Sequence, residues 1–336
     1  MLISHQMTKL IKILMILSLS VGIPAAAQGV RYTISPKNAE TVLHTENIRA
    51  TVDFLSDPSL GGRASGTEGS KKAAVWLEDQ FMDLHLEPFS GAWMHGFRGA
   101  GFFGRNILGL LPGTASPARY VVVMAHFDNL GTLGGNTYPG ADSNASGVAA
   151  LLEVARMFFH MKECRKTYGT GLIIAALDGK EKDLSGAADL WRLIEQGKLK
   201  DPVSGQAVSP GQIVLAVNLD QLGTGLAPLT KGNPQYLMML SEASTGRRST
   251  LESVNRDLNI GLELGYDYYG SKDFTQLFYR RVSDQRVFLE HDIPAVMFTS
   301  GITLNNNKVT DTPDTLDYTL MRKRIQLIFY WLEKIL

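Results

Sequence analysis

The sequence predicts an α/β fold: a single three-layer domain with a mostly parallel mixed sheet and helices on both faces. Three observations predict it. Positions 120–125, 172–177 and 213–219 are nearly unbroken runs of Val, Ile, Leu and Ala, the pattern of strands buried on both faces. Segments with apolar residues at helical spacing alternate with these runs, and that alternation favours a sheet covered by helices. The 336 residues are 44% apolar and 20% charged, which excludes a largely disordered chain, a collagen and a multi-span membrane protein.

Along the chain, Lys9 and Lys12 precede an apolar run at 13–23, and Pro24-Ala25-Ala26-Ala27 follows it. A charged start, a short apolar stretch and an A-x-A site read as a secretory signal peptide over 1–27. The run is too short for a stable membrane anchor. The expected product is exported to the periplasm or the exterior, with no membrane contact after cleavage. Positions 28–45 read as an N-terminal arm, and 46–336 as the functional domain. Ala74, Leu77, Phe81 and Leu84 place a helix over 68–84, entered from the turn-rich GGRASGT at 61–67. Strand-length apolar runs then stand at 106–111, 120–125, 172–177, 213–219 and 293–298. Val148, Leu151, Leu152, Ala155 and Phe158 make one helical stripe. Ile325, Ile328, Phe329 and Leu332 make another near the C-terminus. Positions 197–211 read as a surface loop.

Lys+Arg and Asp+Glu number 33 each, so no basic excess points to a nucleic-acid partner. The single cysteine, Cys164, excludes an intramolecular disulfide framework and a Cys-based zinc cluster.

Chemistry-bearing residues stand where the buried runs end, the place where ligands gather in such sheets. Run 120–125 ends in His126-Phe127-Asp128, run 172–177 in Asp178-Gly179-Lys180-Glu181, and run 213–219 in Asp220. Between the first two, GADSNASG at 140–147 opens a helix. One imidazole and several carboxylates thus converge on one edge, a donor set that suits zinc. Each residue alone reads as an ordinary polar strand end; four on successive elements favour a metal.

These motifs give the chain its resemblance to a family of zinc exopeptidases that includes bacterial leucyl aminopeptidases, glutamate carboxypeptidases and glutaminyl cyclases. The resemblance runs from about residue 48 to the C-terminus. It is strongest over 121–155, VVVMAHFDNLGTLGGNTYPGADSNASGVAALLEVA, and weaker over LDGKEKDLSG (177–186), VNLDQLG (217–223), 283–297 and DTPDTLDY (311–318). It implies a zinc aminopeptidase-like fold and a zinc-activated water. It also implies His126 and Asp220 as ligands of one zinc, Asp142 as the carboxylate bridging two, and Glu181 as a ligand of the other. Asp128 is implied as the carboxylate that orients the His126 imidazole.

Two departures stand against full conservation of that site. Where the family carries an acid as general base, this chain has Lys180, and an ammonium accepts a proton only if its pKa is strongly depressed. Where the family carries a histidine upstream of Asp311, this chain has Asn307, and an amide oxygen is a poor zinc ligand. Gln285 likewise stands where a histidine often follows Ser-Asp. Both main departures fall on one metal, so the expectation is one zinc on His126, Asp142 and Asp220, with Glu181 displaced into the role of general base.

Three functions compete. The first is a secreted metal-dependent exopeptidase, an aminopeptidase acting on a peptide or amino-acid-derived substrate. The second is a catalytically inactive peptide- or amino-acid-binding protein on the same scaffold, with Lys180 pairing a ligand carboxylate. The third is a glutaminyl cyclase-like acyltransferase. Among smaller signals, Arg63 reads as a structural salt-bridge partner, and the apolar run 237–240 as core. Tyr266, Tyr268 and Tyr269 read equally as pocket wall or surface packing. Cys164, His160 and His291 read as structural.

Overall fold

The computed structural model describes residues 36–225, 230–242, 245–268 and 270–336. The signal segment 1–27, positions 28–35 of the arm and Tyr269 lie outside the described residues. Described from the arm onward, Pro36–Val42 forms a 3-10 turn whose Ala39 is fully buried, as is Leu43 beyond it. Helix α1 (Thr45–Leu55) and helix α2 (Glu68–Asp83) follow. Thr67 caps α2 by accepting the Ser70 N–H, which satisfies one of the open donors of a helix start.

The strands are β1 (Glu87–Pro88), β2 (Met94–Gly99), β3 (Phe102–Leu111), β4 (Tyr120–His126), the β5–β6 hairpin (Gly131–Leu133 and Asn136–Tyr138), β7 (Gly171–Leu177), β8 (Ile213–Leu219), β9 (Tyr236–Ser241), β10 (Glu263–Gly265) and β11 (Ala295–Thr299). Among the described residues, nine of them form one sheet in the order β1-β3-β7-β4-β8-β11-β9-β10, with β2 on β3. The middle strands β7, β4, β8 and β11 run parallel. The flanking strands β3 and β9 join them antiparallel, so the sheet is mixed as expected, with its parallel pairings at the centre. Every residue of β4 and β7 is buried, the physical reason their sequences are unbroken apolar runs rather than alternating ones.

The helices cover both faces. On one side α4 (Ser185–Glu195) and the short α7 (Gln285–Leu289) bring Leu190, Trp191, Ile194 and Phe288 onto Val122, Met124, Ile173 and Ala175. On the other, α3 (Ser146–Glu163) lies on β4 and β7 and is backed by α1 and α8 (Tyr318–Ile335). At the sheet's edge, α5 (Thr245–Asp257) packs on α8, and α6 (Lys272–Tyr279) packs on β9. Among the described residues no helix is long and apolar enough to cross a membrane.

Two features position the functional edge. A Cβ on Gly147 would meet Leu219 O at 2.4 Å and the Asn144 side chain at 2.3 Å, so glycine lets the start of α3 close against the end of β8. Asn144 ties the same junction, donating to Leu219 O at 2.9 Å and accepting from Gln221 N at 3.0 Å. Second, the buried guanidinium of Arg63 donates Nε to Phe127 O at 2.8 Å, Nη1 to Leu55 O and to Pro139 O (2.7 Å), and Nη2 to Gly140 O at 3.0 Å. It lashes the end of α1 to the segments after β4 and before α3. No carboxylate stands within ion-pair distance among the described residues, so Arg63 is structural through carbonyls and not through the expected salt bridge.

Candidate functional site

β4, β7 and β8 deliver their polar residues side by side at their carboxyl ends. His126 is the last residue of β4 and is wholly buried. Its Nδ1 donates to the Asp128 carbonyl at 3.1 Å and lies 3.6 Å from Asp128 Oδ1, while Nε2 lies 3.6 Å from Asp220 Oδ1. Asp128 also fastens the loop after β7: Oδ1 accepts Lys180 N–H and Oδ2 accepts Glu181 N–H, both at 3.0 Å. Asp220 Oδ2 accepts the Ser283 hydroxyl at 2.6 Å. Asn218 Nδ2 donates to Ser283 Oγ at 2.9 Å and to Gln285 Oε1 at 2.7 Å. Gln285 passes its amide to Tyr279 O at 2.7 Å, so its side chain is spent on holding the frame.

Lys180 and Glu181 face each other across 2.6 Å, with side chains 17% and 21% exposed. Burial alone pulls the Lys180 ammonium toward neutrality, but Asp220, Glu181 and Asp128 more than reverse this and hold its pKa above the usual lysine value. The side chain is a permanent cation and no proton acceptor.

The same balance sets its neighbours. Burial disfavours a charged His126, yet the facing carboxylates of Asp128 and Asp220 raise it to about 10. Burial likewise opposes an ionised Asp220, and the nearby His126 and Lys180 hold it down to about 2. Asp128 is lowered, against burial, by His126 and the two loop N–H groups. The centre therefore gathers Lys180 and His126 among the carboxyl groups of Asp128, Asp220 and Glu181.

Asp142 stands at the mouth of α3 in a π-helical turn, Ala141–Ala145, that carries a cis Ser143–Asn144 peptide. Its Oδ1 accepts Gly223 N–H at 2.7 Å and the Ser146 hydroxyl at 2.8 Å, and burial raises its pKa. Asp311 takes the Asp142 and Ser143 N–H groups at 2.8 and 3.0 Å. Burial and the nearby Asp142 charge push Asp311 up to about 7. Buried Arg324 on α8 holds the segment that carries Gly223, donating Nη1 to Leu222 O at 2.8 Å and Thr224 O at 2.7 Å.

The expectation of zinc fails on this arrangement. Among the described residues no group of three or more His, Cys, Asp or Glu side chains stands so as to hold a metal ion. Of the proposed ligands, Asp142 Oδ1 accepts from Gly223 and Ser146 and Glu181 Oε1 pairs with the Lys180 ammonium, while His126 Nε2 and Asp142 Oδ2 are buried without a hydrogen bond among the described residues. A metal needs several deprotonated donors turned inward together, and among the described residues no three stand so. The displaced-base role for Glu181 goes with it, since its Oε1 is tied to a cation. Asn307, in the position of the family's histidine, is exposed on a loop with φ 57°.

Two residues that shape the site received no role from the sequence. Asp284 is fully buried, neither oxygen has a hydrogen bond among the described residues, and burial raises it to about 7. Asp178, bonded by Arg105 N–H and Ser70, rises to about 6 through burial and the Asp128 charge. Only their place after Ser283 and after run 172–177 hinted at them. The smaller readings resolve variously. The run 237–240 lies in β9 and is buried. Tyr268 belongs to the core beside Tyr236 and Tyr279, while Tyr266 lines a separate cavity. His291 stacks on Trp191 at 4.4 Å.

Comparison with known proteins places this geometry in a family. A probable zinc metalloprotease of Pyrenophora tritici-repentis is 25% identical over 303 residues, covering 81% of this chain and 64% of that protein; the chain thus spans less than two thirds of that relative's length. The crystal structure of the Legionella pneumophila LapA aminopeptidase superposes with a TM-score of 0.69 at 16% identity, covering 89% of this chain and 74% of the other. Porphyromonas gingivalis glutaminyl cyclase superposes with a TM-score of 0.64 at 17% identity, covering 88% and 99%. Identities this low establish a shared fold alone, and the fold is common to differing chemistries. Residues 106–332, more than half of the sequence, match the description "Peptidase family M28", and the chain belongs to that family.

Proposed function

We propose that the chain is a catalytically inactive member of its family that binds a peptide or a free amino acid. The observation that carries this reading is the Lys180–Glu181 pair at 2.6 Å. It fills with a charged ammonium the place where hydrolysis needs a proton acceptor, and it ties up the neighbouring carboxylate. The lack, among the described residues, of any three His, Cys, Asp or Glu side chains placed to hold a metal supports the same reading.

The pair suits a ligand with charged ends. An ammonium has three N–H donors, and Lys180 gives one to Glu181, leaving others for a ligand carboxylate. The second oxygen of Glu181 serves a ligand ammonium. Around this edge Phe103, Leu133 and Leu304 are 44%, 52% and 74% exposed, on the start of β3, in the β5–β6 hairpin and in the loop after β11. Exposed apolar groups gathered at one rim support contact with apolar ligand side chains.

Calorimetry with free amino acids and short peptides tests the reading, alongside aminoacyl-amide assays with zinc, cobalt or manganese added. Binding without turnover is the expected result. A charge-assisted hydrogen bond contributes ~1.5–3 kcal/mol, so Lys180→Met is expected to weaken binding about tenfold or more. Turnover that a chelator abolishes would overturn the proposal. We also propose export with cleavage after Ala27: the mass of the protein recovered outside the cytoplasm is expected to correspond to a chain starting at Gln28, and an intact N-terminus on that protein would refute the cleavage.

A further inference from the structure

A second cavity, of about 540 Å³, lies at the other end of the sheet. β9 runs antiparallel to β11, with Met238 opposite Thr299 and Ser241 opposite Val296. Glu242, which follows β9, is therefore at the amino end of β11, whereas His126 and Asp220 are at the carboxyl ends of strands parallel to it. The volume is that of a small-molecule site.

Its walls carry charges of which only some are satisfied. Arg280 on the C-terminal side of α6 pairs with Glu242. Arg248 on α5 lies over the ring of Tyr266, Cζ 4.7 Å from the centroid, and its Nε is buried without a hydrogen-bond partner among the described residues. The Tyr266 hydroxyl is fixed to Glu252 at 2.8 Å, so the surface on which the guanidinium rests is itself held in place. Lys272 and Asp267 complete the charged lining, and neither has an ion-pair partner among the described residues. Once Glu242 and Arg280 cancel, two cations and one anion remain.

We propose that this cavity binds a small zwitterion with one excess carboxylate, the class of acidic amino acids and acidic dipeptides. Such a ligand carries two carboxylates and one ammonium, the complement of Arg248, Lys272 and Asp267. The flat, fixed guanidinium suits a carboxylate taken by two parallel N–H groups, Lys272 supplies a point charge for the second, and Asp267 receives the ammonium. A neutral amino acid leaves one cation unpaired, and a plain dicarboxylate leaves Asp267 unpaired.

Calorimetry on the full chain with glutamate, glutarate, glutamine and leucine tests this. Glutamate is expected to bind at least about tenfold more tightly than glutamine or leucine. Lys272→Gln is expected to lower glutamate affinity about tenfold or more, and Asp267→Asn to weaken glutamate while leaving glutarate unchanged. Lys272 is exposed and Asp267 half-buried, so both variants are expected to fold, which melting curves check. Binding of glutamate that survives both substitutions, or no binding up to about 10 mM, overturns the proposal. Glutamate binding that Lys180→Met abolishes and Lys272→Gln spares also overturns it, because that result assigns the ligand to the opposite end of the sheet.

Discussion

Arg63→Met is expected to lower the stability of the fold by about 4 kcal/mol, taking ~1 kcal/mol for each of the four carbonyls left without their donor, all but Pro139 O in buried bonds. At roughly 2 °C per kcal/mol for a domain of this size, the melting temperature falls by about 8 °C. The effect has this size because the lost partners cannot turn to water: the guanidinium is fully buried, and Leu55, Phe127, Pro139 and Gly140 belong to three different segments. Arg63 sits at φ 56°, a backbone state as unfavourable for methionine as for arginine, so the substitution isolates the head group. Arg63→Lys is expected to recover little, since one ammonium cannot reproduce a planar fork aimed at four oxygens. Urea denaturation of the three proteins measures the difference. A variant melting within about 2 °C of the parent would show that the loop holds its shape through other contacts.

That lashing was half legible in the sequence. The turn-rich 61–67 marked a structured entry, but which groups a buried arginine would reach depends on three segments meeting, and no spacing in the chain records that. β4, β7 and β8 were legible almost to the residue because burial on both faces removes polar residues from a strand altogether. β2, with MHGFRG, and the three-residue β10 have mixed patterns because they lie at the margins of the sheet, so periodicity did not reveal them. β9 was visible as core but not as strand: a four-residue apolar run suits either.

In the site, the strand ends correctly brought His126, Asp128 and Asp220 together. The sequence did not disclose that Lys180 would fold back on Glu181, nor that one oxygen of Asp142 would accept from Gly223 and Ser146. An alignment of residue types onto a family pattern records which donors exist, not which way each is turned. The zinc expectation failed at that step, although the fold reading held and the family reading held as far as Peptidase family M28.

The pH dependence of stability supplies the second large effect, and Asp284 is its sharpest probe. Its carboxyl is wholly buried and unpartnered among the described residues, and burial raises it from 3.8 to about 7, with His126 and Lys180 only partly offsetting that. A carboxyl raised in the folded state stays protonated there while the unfolded chain ionises. Stability from this group is therefore full at low pH and is lost as pH climbs from about 4 to about 7. At ~1.4 kcal/mol per pH unit, the loss between pH 5 and pH 7 is on the order of 3 kcal/mol. Asp311, raised to about 7, and Asp178, raised to about 6, slope the same way. His126, raised to about 10 from 6.5, extends the decline, because its contribution is whole below 6.5 and vanishes as pH rises through 10. Lowered carboxylates such as Asp220 pull in the opposite sense, and their stabilisation disappears below about 4 as pH falls through 2. Greatest stability is thus expected on the acid side of neutrality. Asp284→Asn removes one titrating carboxyl without changing its shape, so its denaturation free energy is expected to fall by on the order of 3 kcal/mol less than the parent's between pH 5 and pH 8. Parallel curves for the two proteins would mean that Asp284 ionises in the fold as readily as it does unfolded.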